Sequence, residues 1–418
     1  MKKKIIHTII FALLPHSLAL SNVINVPGDY PTVQAGINVA SYGDTVLVAP
    51  GTYYENVQMA EGVSLIGSGM ENTIIDGGGL NDVIKALGIS NYLIEKFTVQ
   101  NSQQGGNSPG NIGIFMNPSS SYGTKTVRYC RVRNNGHGVE IWNDFGGTAY
   151  VENNIIEGNI YDGFDPYLGT VYLTNNIIMG NGRDGYHDWS GGGVIYIKNN
   201  IIAENGRYGI FKHRDTPVFI SYNDVWNNAQ GAYYEGYSGP ATPFNPNPGT
   251  GEIALDPLFR DPDTGDFHLC EDSCGYLVDS PCIDAGDPGI LDVLLGCDWG
   301  LEYPVSDMGA YGGNNGDIQT GIDNDETVLL PESIFNLHSY PNPFNNATTI
   351  SFTLPYESHA SLTIYDILGR EVEILADRIL PVGKHSFRWD ASGNTSATYF
   401  YVIEACNMAD KRKIVFLK

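Results

Sequence analysis

The chain is 418 residues long and carries 47 acidic side chains against 23 Lys and Arg, a formal net charge of −24. Such an excess of negative charge argues against nucleic acid or an anionic membrane surface as a partner, because both are bound through clustered cations. The length admits two domains, and beyond residue 21 no apolar run approaches the roughly 20 residues that cross a bilayer.

Residues 1–21 read as an export signal. Lys2, Lys3 and Lys4 precede an apolar stretch at 5–14, and Ala19-Leu20-Ser21 offers a small-residue cleavage site. Pro15 and His16 interrupt the stretch, which argues against a membrane anchor, and no cysteine lies near enough for lipid attachment. The mature chain is expected to pass through the periplasm to the outer-membrane surface or the medium. Within 22–76, Pro31 is placed to start a short helix with Val33, Ile37 and Ala40 on its apolar side. Val46-Leu47-Val48, Val63-Ser64-Leu65-Ile66 and Thr73-Ile74-Ile75 follow as short strands.

From Val127 to Asn228 the chain repeats itself. Cys130, Asn154, Asn176, Asn200 and Asn223 stand 24, 22, 24 and 23 residues apart. Three positions before each is an apolar residue (Val127, Val151, Leu173, Ile197, Ile220), and two after is another (Val132, Ile156, Ile178, Ile202, Val225). Five after is an asparagine: Asn135, Asn159, Asn181, Asn205 and Asn228. Gly138, Gly163, Gly185, Gly209 and Gly231 complete the pattern and are expected at corners with positive φ. Phe97 is an earlier copy of the anchor, and the surplus before Cys130 falls in 103–110, expected as a loop. A fixed period marks a solenoid whose turns cannot bury their apolar faces alone. β-Branched runs broken by Asn and Gly, with no helical stripe, predict three short strands per turn and turns about 4.8 Å apart. The apolar positions then form internal columns and the asparagines hydrogen-bonded ladders. The framework of a leucine-rich repeat is missing. These coils resemble the right-handed parallel β-helix of the pectin-lyase-like superfamily, which implies an all-β domain over 22–312 with function on its outward side chains.

After Asn228 the register dissolves. Asp256-Pro257-Leu258-Phe259, Gly265-Asp266-Phe267-His268-Leu269, Ser280-Pro281-Cys282-Ile283-Asp284 and Asp307-Met308-Gly309-Ala310-Tyr311-Gly312 resemble the tail that closes many bacterial members of this superfamily. Cys270, Cys274, Cys282 and Cys297 are expected to pair among themselves in up to two disulfides, and Cys130 to be a buried free thiol. No Cys-x-x-Cys or histidine cluster points to zinc, so no metal ligands are assigned. Asp261, Asp263 and Asp266 leave calcium open against ordinary turn chemistry. Residues 313–333 read as an acidic linker. Residues 334–418 alternate as short strands and turns, which predicts a small immunoglobulin-like sandwich. Tyr340-Pro341-Asn342-Pro343-Phe344, Ile364-Tyr365-Asp366-Ile367-Leu368-Gly369-Arg370, Trp389-Asp390-Ala391-Ser392-Gly393 and the final Lys413-Ile414-Val415-Phe416-Leu417-Lys418 resemble the C-terminal sorting domain of the type IX secretion system. Ser396-Ala397-Thr398-Tyr399 departs from the usual Ser-Gly-Val-Tyr. The resemblance implies the type IX machinery as a partner.

Counting from the repeat glycines, Val139, Phe164, Tyr186, Ile210 and Ala232 should face inward, and Glu140, Asp165, His187, Phe211 and Tyr233 outward. Trp142, Tyr167, Trp189, His213 and Glu235 lie two further on. Asp188 and Lys212 are poor core residues, expected where the chain leaves the regular strand. Aromatic rings beside carboxylates suit a sugar groove, so Glu140, Trp142, Tyr167, Trp189 and Glu235 are candidate polysaccharide contacts. For a hydrolase, Asp165 and Asp188 would be the acid and the nucleophile or base. For a lyase, Lys212 or His213 would be the base and Arg214 would steady the enolate, with His187, Arg183 and Arg207 in the same basic island. Gly136-His137-Gly138 resembles the Gly-His-Gly of polygalacturonases, but their companion motifs are absent. Three readings stand: a polysaccharide lyase or hydrolase, a carbohydrate-binding surface adhesin, or a structural solenoid. The chain is expected to act as a monomer.

Overall fold

The computed structural model describes residues 21–103, 111–117, 123–142, 147–188, 193–213, 215–236, 249–290, 292, 305–313, 337–354, 358–365, 370–381, 383–405 and 408–417. Residues 1–20 of the expected export signal, nearly all of the loop at 103–110, the expected linker from 314 on, Trp189, Arg214 and Cys297 lie outside them.

The repeat closes into a solenoid because each turn holds three short strands. Thr124–Arg128, Arg131–Arg133 and His137–Trp142 make one turn, and Thr148–Glu152 starts the next. Stacking yields three parallel sheets of nine, eight and eight strands, called first, second and third here in chain order. The columns read from the sequence are the observed registers: Val127, Val151, Leu173, Ile197 and Ile220 on the first sheet, and Val132, Ile156, Ile178, Ile202 and Val225 on the second. Together they form one continuous core from Val26 to Val225. The helix Val33–Val39, capped by the Thr32 hydroxyl at 3.1 Å from the Ala35 N–H, buries Val33 and Ile37 against the first turns.

Both asparagine ladders form. Asn154 donates its backbone N–H and its amide to Asn176 Oδ1, each at 3.0 Å, and Asn176 does the same to Asn200. The second ladder runs from Asn135 through Asn159, Asn181 and Asn205 to Asn228. The glycine expectation is corrected. Gly138, Gly163, Gly185 and Gly209 do not adopt positive φ; left-handed φ of 52° to 55° falls on the residue before each anchor, namely Tyr129, Asn153, Asn175, Asn199 and Tyr222. Those four glycines are required by space instead: a Cβ there would lie 2.3 to 2.9 Å from the next turn's carbonyl oxygen.

The last turn is also corrected. Gly231 pairs with Tyr208, one position out of the pattern, so Ile210 aligns with Tyr233 and Phe211 with Tyr234. Tyr233 thus packs against the core and Tyr234 continues the outward column, with Glu235 beside Lys212.

The closing segment packs on the outside of the second sheet. The hairpin of Phe259–Asp261 and Asp266–Leu269, with Cys282, Met308 and Ala310, covers Ile155, Ile177, Met179, Ile201 and Ala203. The left-handed asparagines hold it in place: Asn153 donates to the carbonyls of Ala310 and Gly312, and Asn175 to that of Asp307. Cys270 and Cys282 are free thiols, so the expectation that they pair within the closing segment is corrected; Cys274 is disulfide-bonded, to a partner outside the described residues. Cys130 is free and buried, which raises its thiol pKa to about 12.

The C-terminal residues fold as two antiparallel sheets. One comprises His338–Tyr340, Ala347–Leu354 and Gly383–Asp390; the other Glu371–Leu380, Ser358–Tyr365, Ala397–Ala405 and Met408–Phe416. Ile350, Phe352 and Trp389 from the first meet Leu362, Ile364 and Tyr401 from the second in a separate core, the arrangement of a small sandwich.

Candidate functional site

The chemistry gathers where each strand of the third sheet begins. His137–Trp142, Phe164–Tyr167, Tyr186–His187 and Tyr208–His213 lie in parallel there. In His137-Gly138-Val139-Glu140, Asp162-Gly163-Phe164-Asp165 and Asp184-Gly185-Tyr186-His187, polar side chains at the first and fourth positions of neighbouring turns come together: polar atoms of His137, Asp162 and Asp165 lie within 4.8 Å of one another, as do those of Asp162, Asp184 and His187. Three turns therefore stack two polar columns, one of His137, Asp162 and Asp184, the other of Glu140, Asp165 and His187. Reading the repeat from its asparagines passed over Asp162 and Asp184 and met His137 only within the Gly-His-Gly resemblance. The signal was present as a polar residue on each side of Gly-Φ in three successive copies.

The aspartates of the first column bind the turns together. Asp162 Oδ1 accepts the Asp184 N–H at 3.0 Å, and Asp184 Oδ1 accepts the Tyr208 N–H at 2.9 Å. Their other oxygens face cations. Arg183 Nη1 stands 3.4 Å from Asp162 Oδ2, Arg207 Nη1 3.7 Å from Asp184 Oδ2, and His187 Nδ1 2.6 Å from Asp184 Oδ2. Asp162, Asp184 and His187 are fully buried. Burial works against charge on Asp162, but His187, Arg183 and the Asp184 N–H hold its carboxyl below the ordinary range. Burial also opposes charge on His187, yet Asp162 and Asp184 raise it above the usual imidazole value. His137 goes the other way, since burial outweighs the nearby Asp162 and lowers it. Two imidazoles shifted in opposite directions thus flank the same carboxylate.

The candidate residues from the sequence divide by column. Glu140 aligns with Asp165, and His187 with Phe211; all four are buried although they point away from the solenoid interior. His187 stacks on Phe211 with ring centroids 4.5 Å apart. Trp142 and Tyr167 are register partners at the far end of the strands. The Trp142 indole N–H donates to Glu140 and its ring meets Phe115 edge-on, while Tyr167 is exposed. Asp188 and Lys212 are buried, and the strand carrying Lys212 runs on to His213. Asp188 Oδ2 accepts the His213 N–H at 3.3 Å. Lys212 Nζ donates to the carbonyls of His213 and Thr216, each at 3.3 Å, and lies 3.5 Å from Glu235. His213 and Glu235 are half-buried.

A second feature was also missed. Tyr150, Tyr172, Tyr196 and Phe219, each four residues before its anchor asparagine, form a stacked ladder on the first sheet, with centroids 4.8 to 5.1 Å apart. Rings stacked on one another offer solvent their edges, so this ladder stabilises the sheet.

Residues 82–245 match the family described as the right handed beta helix region, and residues 338–417 match the secretion system C-terminal sorting domain. No curated protein matches the chain. With its parallel solenoid and its C-terminal antiparallel sheets, the chain is a right-handed parallel β-helix protein carrying a type IX sorting domain, and is secreted or displayed at the cell surface.

Proposed function

We propose that the protein binds a polysaccharide along the outer face of the third sheet. The observation that carries this reading is a buried polar floor with aromatic rings nearby. Glu140, Asp165 and His187 make the floor, Trp142 and Tyr167 lie at the far end of its strands, and Tyr161 packs on His137 and Tyr208 on Tyr234. Rings of this kind stack on pyranose faces, while carboxylates and imidazoles bond hydroxyls. The outward column from Phe115 to Tyr234 takes five steps of about 4.8 Å, roughly 24 Å in all, which suits an extended chain lying along the solenoid. The net charge of −24 favours a neutral glycan over a polyanion. Calorimetry with a panel of oligosaccharides tests the reading. Trp142→Ala or Tyr167→Ala should weaken binding by about 1–3 kcal/mol, whereas Tyr172→Ala on the first sheet should leave it unchanged. Equal binding by all three variants contradicts the placement.

Cleavage of the bound chain is a second reading, favoured by the opposed shifts of His137 and His187 beside one buried carboxylate. In a hydrolase Asp165 and Asp188 take the acid and nucleophile or base roles. In a lyase Lys212 or His213 is the base; the Lys212 ammonium is held by two carbonyls and Glu235, and His213 Nδ1 accepts the Asp215 N–H at 3.3 Å. In the hydrolase case Asp165→Asn should abolish product release, and in the lyase case His213→Ala should; no product from the parent protein on any binding glycan leaves an adhesin.

A further inference from the structure

We propose that the protein binds one divalent first-row transition-metal ion at the corner of the third sheet, through His137 Nδ1, Asp162 Oδ2 and a carboxylate oxygen of Asp165. The ligand atoms of these three residues all lie within 4.8 Å of one another. The observation that points to an ion is a pair of buried atoms that make no hydrogen bond: His137 Nδ1, and Asp162 Oδ2, which faces the Arg183 guanidinium at 3.4 Å. They stand 3.7 Å apart, too far for a hydrogen bond. Two donors bound at 2.0–2.2 Å to one tetrahedral ion stand roughly 3.4 Å apart, so a small inward shift would close the site. Asp162 is already aligned for this role, since the Asp184 N–H fixes Oδ1 and leaves Oδ2 facing His137.

The neighbouring trio of Asp162, Asp184 and His187 is not the place for the ion. His187 Nδ1 and Asp184 Oδ2 are 2.6 Å apart, which is a hydrogen bond and leaves no room for a metal between them. That pair instead steadies the ligand column from the next turn, as carboxylate–imidazole pairs behind metal ligands do. One imidazole and two carboxylates suit zinc or its first-row neighbours better than calcium, which takes six to eight oxygens. The competing charge is Arg183, with Nη1 3.4 Å from Asp162 Oδ2 and its side chain 30% exposed. It stands as the counter-ion and would swing outward when a metal arrives. The inference does not depend on the glycan reading, because its test measures metal alone.

The full-length secreted protein, stripped with chelator, is titrated with Zn²⁺ by calorimetry and with Co²⁺ by visible absorption. One equivalent should bind, with Co²⁺ bands of nitrogen–oxygen ligation and calcium at least tenfold weaker. His137→Gln and Asp162→Asn should each weaken Zn²⁺ at least tenfold, while His268→Gln in the closing segment should have no effect. Arg183→Gln should tighten Zn²⁺ several-fold, and this variant decides the matter if the two ligand variants fail to fold. Absence of saturable Zn²⁺ binding, undiminished binding by both ligand variants, tighter calcium, or unchanged affinity in Arg183→Gln overturns the proposal.

Discussion

Asn176 shows how much one repeat side chain holds. Its Oδ1 accepts two hydrogen bonds from Asn154, and its amide donates to the Val151 carbonyl and to Asn200, all with no exposed surface. Replacing it with alanine strands several buried polar groups at once, since each unsatisfied group costs about 1–3 kcal/mol. Asn176→Ala should therefore destabilise the β-helix by on the order of 3–5 kcal/mol; a loss below 1 kcal/mol by thermal or denaturant unfolding contradicts the ladder. At this scale, identity was legible where it repeats with the period. Backbone conformation was not: the same Asn-Asn pairs place one residue inside the ladder and the other at left-handed φ, and only the inner one had been singled out. Lys125 was equally illegible, a lysine fully buried in the inward column between Tyr92 and Ala149.

Strands and their order followed from the period, because a column error of one residue would turn a whole apolar set outward. The last turn escaped because its glycine is not the structural equivalent of the others, and Ala232 takes that place. The closing segment has no period at all, so its docking on the second sheet left no signal beyond the family resemblance. Its thiols give a direct check. Cys270 is partly exposed, whereas Cys282 is buried with its Sγ 3.4 Å from Asp224. Alkylation of the native protein should label Cys270 ahead of Cys130 and Cys282, which stay unlabelled until unfolding. A Cys270–Cys282 cross-linked peptide in the mass spectrum would refute this packing.

The whole molecule joins a long acidic solenoid to a small sandwich that directs it out of the cell. Deleting residues 338–417 should leave the protein in the periplasm; surface display that persists unchanged contradicts the sorting role of the module. The candidate face was legible in part, since Glu140, Asp165 and His187 do share a column. The His137, Asp162 and Asp184 column was not, because it lies across a glycine corner where strand alternation no longer applies. The central claim is that ligand lies on the third sheet and not on the tyrosine ladder of the first. A crystal of the secreted protein soaked with mixed oligosaccharides tests it most directly. The account predicts a sugar chain running parallel to the solenoid axis, a ring over Trp142 or Tyr167 and hydroxyls reaching Asp165. Sugar bound against Tyr172 and Tyr196 instead, with the third sheet bare, would contradict it.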